Sequence, residues 1–161
     1  MHVTTHGLEQ RIKHLQGRLQ MFGDMPALSE ERSVGVLFFS LKGRLPGFGL
    51  QPEIGQVRLA ERWRRSGDGW RLSAYVYEYQ RDALNPCGPG TFGYHLHAMT
   101  EVDPSGRAVP HAKVEDGSAS DPHYQHGAVS VDDAIDAFFL LDASGGPISP
   151  RGLDPLFPRR R

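Results

Sequence analysis

The chain has 161 residues, enough for one domain with a real buried core. A formal net charge of −1 and a charged fraction of 23% exclude a global electrostatic pull towards nucleic acid or membrane. A single cysteine, Cys87, excludes an internal disulfide, and the longest apolar run, about Val34 to Leu41, falls far short of the roughly 20 residues of a membrane span. With no secretory pattern at the N-terminus, the expected location is cytoplasmic, in a bacterial cytosol, with no membrane partner. The 19 glycines and 12 prolines favour short strands and many turns.

Leu8, Ile12, Leu15 and Leu19 recur at helical spacing among charged residues, which predicts an amphipathic helix over about 6–21. A strand follows at about 33–42, apolar on both faces and therefore expected to be buried. Gly43 to Pro52 reads as a loop. Over about 56–65, Val57, Leu59, Glu61 and Trp63 alternate with Arg58, Arg62 and Arg64. Ser66-Gly67-Asp68-Gly69 is a hairpin signal, and about 70–80 is the returning strand. One of its faces carries Trp70, Leu72, Ala74, Val76 and Glu78; the other carries Tyr75, Tyr77 and Tyr79.

Strands at about 91–102 and 107–115 come next, with an irregular stretch from Gly117 to Gly127. Ser130 before Asp132 and Asp133 marks a helix start, and the helix should run about 131–142 and stop at Gly145-Gly146. The expected fold is α+β: an antiparallel meander of about five strands with an N-terminal and a C-terminal helix. Residues 1–146 form the domain, and 147–161, rich in Pro and Arg, form a tail.

The chemistry concentrates in Phe92-Gly93-Tyr94-His95-Leu96-His97, followed by Glu101 and His111. Alternation along a strand puts His95, His97 and Glu101 on one face. Asp103-Pro104-Ser105-Gly106 suits a three-residue hairpin loop, which would pair Asp103 with Arg107 and Met99 with His111, bringing His111 to the same face. Such a trio beside Lys113 suits acid–base work on a phosphate ester, since imidazole titrates near neutral pH.

The pattern His95-X-His97-X₃-Glu101 also resembles the first metal motif of the cupin barrels. With His111 as a further ligand, that resemblance implies a divalent metal, Zn, Fe or Mn by ligand type.

Glu61 and Glu78 are further acid–base candidates, expected on one partly apolar surface because the short hairpin makes their strands neighbours. Arg58, Arg62, Arg64 and Arg71 crowd the other side of that hairpin, either as a solvated face or as a nucleic-acid contact. Tyr75, Tyr77 and Tyr79 suit a half-buried strand face better than a base-stacking platform. Cys87 has no base beside it in sequence and reads as inert.

The order of features resembles that of the TumE-like toxins of bacterial toxin–antitoxin pairs. The matching pieces are Leu59-Ala60-Glu61, the short hairpin, Tyr75-Val76-Tyr77-Glu78-Tyr79, the His95/His97 strand, Pro110-His111-Ala112-Lys113-Val114 and the acidic helix. The resemblance covers about 57–141 and implies a small cytosolic effector held in check by a cognate antitoxin. A non-catalytic interaction module is the third expectation.

Overall fold

A computed structural model describes residues 1–20, 26–45, 55–81, 90–96, 110–115, 123–125 and 128–144. In chain order these form β1 (His2–Val3), α1 (Thr5–Gln20), β2 (Ala27–Ser33), β3 (Val36–Leu45), β4 (Gly55–Ser66), β5 (Gly69–Arg81), β6 (Gly90–Leu96), β7 (His111–Glu115), β8 (His123–Gln125) and α2 (Val131–Ser144). The strands make one antiparallel sheet in the order β2-β3-β4-β5-β6-β7-β8, with β1 paired to the start of β5. Both helices pack on the same face. The α+β meander with an N-terminal and a C-terminal helix is therefore the fold, with eight strands among the described residues where about five were expected.

α1 forms because its apolar residues make one stripe. Leu8, Ile12, Leu15 and Leu19 are all buried, and the Thr4 hydroxyl accepts from the Gly7 amide at the helix start. α2 is capped by Ser130, whose hydroxyl accepts from the Asp133 amide at 3.1 Å and donates to the Asp133 carboxylate at 2.6 Å. Arg81 donates to the Leu141 carbonyl in the last turns of α2, a cation at the negative end of the helix. Phe138 lies 6.0 Å from Tyr79, 6.1 Å from Phe92 and 6.3 Å from Tyr94, so one α2 side chain anchors on both β5 and β6. The helices are tied to each other by Arg18, which reaches Asp132 at 3.3 Å and Asp136 at 3.1 Å.

Three local features differ from the sequence expectations. The apolar run at 33–42 is not one strand: β2 ends at Ser33, Val34 and Gly35 turn, and β3 begins at Val36. Gly35 takes a φ of 70°, which a β-branched residue resists, while Val34 is fully exposed at the tip. One face of β3 is buried through Leu37, Phe39 and Leu41; on the other Ser40 is covered, Val36 and Phe38 are half-buried and Lys42 is exposed. β2 itself is exposed along its whole length, an edge strand blunted by Glu30, Glu31 and Arg32. His123–Gln125, expected to be irregular, pairs with β7.

The third difference decides which side chains meet. Between Arg62 and Trp63 the β4–β5 register slips: Trp63 pairs with Leu72, Arg62 pairs with Ala74, and Ser73 is the extra residue. A bulge reverses the alternation beyond it. From Tyr75 onward the odd positions of β5 therefore face the helices, and Tyr75, Tyr77 and Tyr79 are buried in the core. Their burial removes them as a base-stacking platform.

Candidate functional site

The bulge also separates the two candidate carboxylates. Glu61 and Glu78 were expected on one surface; they lie on opposite faces of the sheet, because the residues opposite Glu61 and Arg58 are Tyr75 and Glu78 respectively. Glu61 faces the helices and is completely buried. Arg11 of α1 grips it through Nε at 3.1 and 2.8 Å to its two oxygens and through a further guanidinium nitrogen. Trp63 Nε1 donates to it at 2.9 Å and the Tyr77 hydroxyl at 2.6 Å. Burial and the adjacent Glu61 charge both push the Tyr77 phenol up, so it remains a neutral donor. Both Glu61 oxygens, Trp63 Nε1 and the Tyr77 hydroxyl are engaged in this cluster, which fixes α1 against β4 and β5.

Glu78 occupies the other face, on which no helix of the described residues packs. Its Oε1 accepts from His95 Nε2 at 3.1 Å, and Arg58 lies 3.6 Å from its Oε2. Burial tends to raise the Glu78 carboxyl, but the His95 hydrogen bond and the charges of His95, Arg58 and Lys113 outweigh it and hold the group below the usual carboxylate range. His111 pairs directly with His95 across the β6–β7 ladder, and the two rings meet edge-on with centroids 5.5 Å apart. Arg58, Glu78, His95 and His111 thus form a continuous row across four strands. Both imidazoles are buried, whereas Glu78 and Lys113 are part-exposed and Arg58 is open to solvent.

The shared face of His95 and His111 agrees with the sequence expectation, but the register does not. His111 faces His95 rather than Met99, Gly93 rather than His97 faces Lys113, and Thr91 rather than His95 faces Glu115. The shift is four residues, an even number, so side chains keep their face. His97, Glu101 and the segment 103–107 lie outside the described residues, as do Cys87, His126, Gly145-Gly146 and the expected tail at 147–161. Two of the four expected metal ligands are therefore not described. Among the described residues no group of three or more His, Cys, Asp or Glu is placed to hold a metal ion. In the strand order β2 and β8 stand at opposite ends and do not pair among the described residues.

One participant was missed in the sequence. Gly93 sits opposite Glu78 on one side and Lys113 on the other. A Cβ there would lie 2.8 Å from Glu78 Cγ and 2.9 Å from His95 Nε2. The absent side chain is what lets Glu78 lean diagonally onto His95. A glycine inside a strand is the sequence signal for such a close approach.

Further along the same face stand Lys42, Arg62, Arg64 and Arg71, all exposed. Arg62 pairs with Phe38, Arg64 with Val36 and Arg71, and Lys42 with Arg58. In a chain of net charge −1 these cations share one face with the acids Glu31, opposite Phe38, and Glu78, opposite Arg58. No family model, no curated protein and no solved structure matches the chain. Among the described residues no helix is long and apolar enough to cross a membrane.

Proposed function

We propose that the protein is a toxin-like effector that acts on nucleic acid through the helix-free face of its sheet. The observation that carries this reading is the set of exposed cations Lys42, Arg58, Arg62, Arg64 and Arg71 on that one face, gathered in a chain with no net positive charge. Phosphate backbones are bound by such stripes irrespective of a protein's total charge. At one end the stripe meets the Glu78–His95 pair, a carboxylate that orients an imidazole for proton transfer. Lys113, on the next strand and part-exposed, supplies a cation beside it for a phosphate oxygen. His111, almost completely covered, acts behind His95 as a positioning residue. Glu61 stays outside this reading because its partners hold it in the core. The resemblance to TumE-like toxins supplies the setting, an effector restrained by an antitoxin.

The test has two parts. Expression in a bacterial host should arrest growth, and co-expression of an adjacent small gene should relieve the arrest. Purified protein should cleave RNA or DNA, and His95→Ala should abolish cleavage while leaving a cooperative thermal transition. Undiminished activity in His95→Ala removes the acid–base assignment.

A further inference from the structure

Beside Glu78 the helix-free face sinks into a hollow of about 200 Å³. Two adjacent rungs of the sheet build it. Lys42, Arg58 and Glu78 face one another across β3, β4 and β5; Gln56, Gln80 and Thr91 do so across β4, β5 and β6. All six polar side chains leave the sheet on the same side.

Their chemistry divides in two. Lys42 and Arg58 are exposed cations at one side of the hollow, suited to a phosphate. Gln56 and Gln80 each offer both an amide donor and an acceptor, Thr91 offers a hydroxyl, and Glu78, ionised, is purely an acceptor. A ligand that satisfies both halves carries an anion next to a planar group with mixed donors and acceptors on its edge. A nucleotide has that form.

The hollow is below the roughly 300–1,000 Å³ of ordinary small-molecule pockets, so it suits one unit of a polymer better than a free cofactor. The rest of the face continues the track. From Arg58 the outward positions of β4 run through Ala60, small and buried, to Arg62 and Arg64, which stand roughly 6–7 Å apart at two strand residues of about 3.3 Å each. Phe38, opposite Arg62 and part-exposed, is an aromatic surface on the same track.

We infer that the hollow receives one unstacked base of a single-stranded nucleic acid whose phosphates run along Lys42, Arg58, Arg62, Arg64 and Arg71. This deepens the nucleic-acid reading above and rests on it. A duplex keeps its bases paired and stacked, and its recessed edges cannot enter a hollow on a sheet surface; a single strand can splay a base out.

The experiment is fluorescence anisotropy of the full chain with a labelled single strand and with the duplex of the same sequence, in RNA and in DNA arms, at low salt. The single strand should bind about tenfold more tightly than the duplex, and Gln56→Ala/Gln80→Ala should remove that preference. Both positions are exposed, so the double variant should keep the wild-type thermal transition. Equal affinity for the two forms, or a preference that survives the double variant, overturns the hollow as a base site while leaving the basic face intact. Binding of neither form overturns the inference together with the reading beneath it. A difference between the RNA and DNA arms identifies which sugar the track accepts.

Discussion

Across the β4–β5 bulge the Ser73 hydroxyl donates to the Arg62 carbonyl at 3.0 Å. Ser73 is the residue that has no partner of its own in the ladder, and its presence sets the phase of everything that follows on β5. With it, Tyr77 meets Glu61 in the core and Glu78 meets His95 outside. Deleting Ser73 would restore unbroken alternation and turn one end of the strand inside out. The deletion should abolish the cooperative thermal transition, whereas Ser73→Ala, which loses only a hydrogen bond, should cost about 1 kcal/mol in chemical denaturation.

The Arg11–Glu61 pair gives the largest point-mutational effect. Removing one partner of a buried ion pair leaves the other charged and uncompensated, so Glu61→Ala should destabilise the fold by about 3–5 kcal/mol. Arg11→Ala should do likewise, and the double variant should lose less than the sum of the two. Urea midpoints of the three variants measure it.

Gly93→Ala tests the close approach on the other face. The added methyl overlaps Glu78 and His95 in their present positions, so their hydrogen bond should break. The Glu78 carboxyl, losing its principal opposing partner, should then titrate higher than in wild type. Carbon-detected NMR titration of the side chain reads this directly. An unchanged Glu78 titration would mean that Gly93 is not what permits the contact.

Much of this was legible from local pattern. The leucine and isoleucine spacing of α1, the Ser130 cap and the Gly67-Asp68 hairpin each need only neighbouring residues, and each stands where expected. The bulge was not legible, because one extra residue in β5 shows only against its partner strand, and alternation alone put Glu61 and Glu78 together. β2 was hidden because Ala-Leu-Ser-Glu-Glu-Arg-Ser is an exposed edge and carries no burial pattern. His95 and His111 came out on one face despite the wrong register, since a shift by four residues preserves parity.

Stability should fall at both ends of the pH range. The Glu78 carboxyl is depressed in the folded state, so its contribution is present above its ordinary value of 4.5 and is lost as pH falls through the folded value. Tyr75, Tyr77 and Tyr94 are raised, chiefly by burial; for Tyr94, with Asp133 adding to it, the phenol is pushed up to about 12. Raised groups stabilise fully below their unfolded value of 10.0, and that share disappears as pH climbs through the folded values. Phenolate absorbance of the buried tyrosines should therefore rise together with the loss of helical circular dichroism. Ionisation of all tyrosines in one stage ahead of unfolding would contradict the burial argument.

If the helix-free face binds a polyanion through its cations, each phosphate it engages releases counterions and binding weakens with salt. Plotting log affinity for a single-stranded oligonucleotide against log salt should give a slope of about −3 to −4, as expected when five cations each engage a phosphate. Arg62→Gln/Arg64→Gln/Arg71→Gln should make that slope shallower by about 2 and weaken binding at every salt concentration. No binding at low salt, or a triple variant with the wild-type slope, would show that these cations do not hold a polyanion.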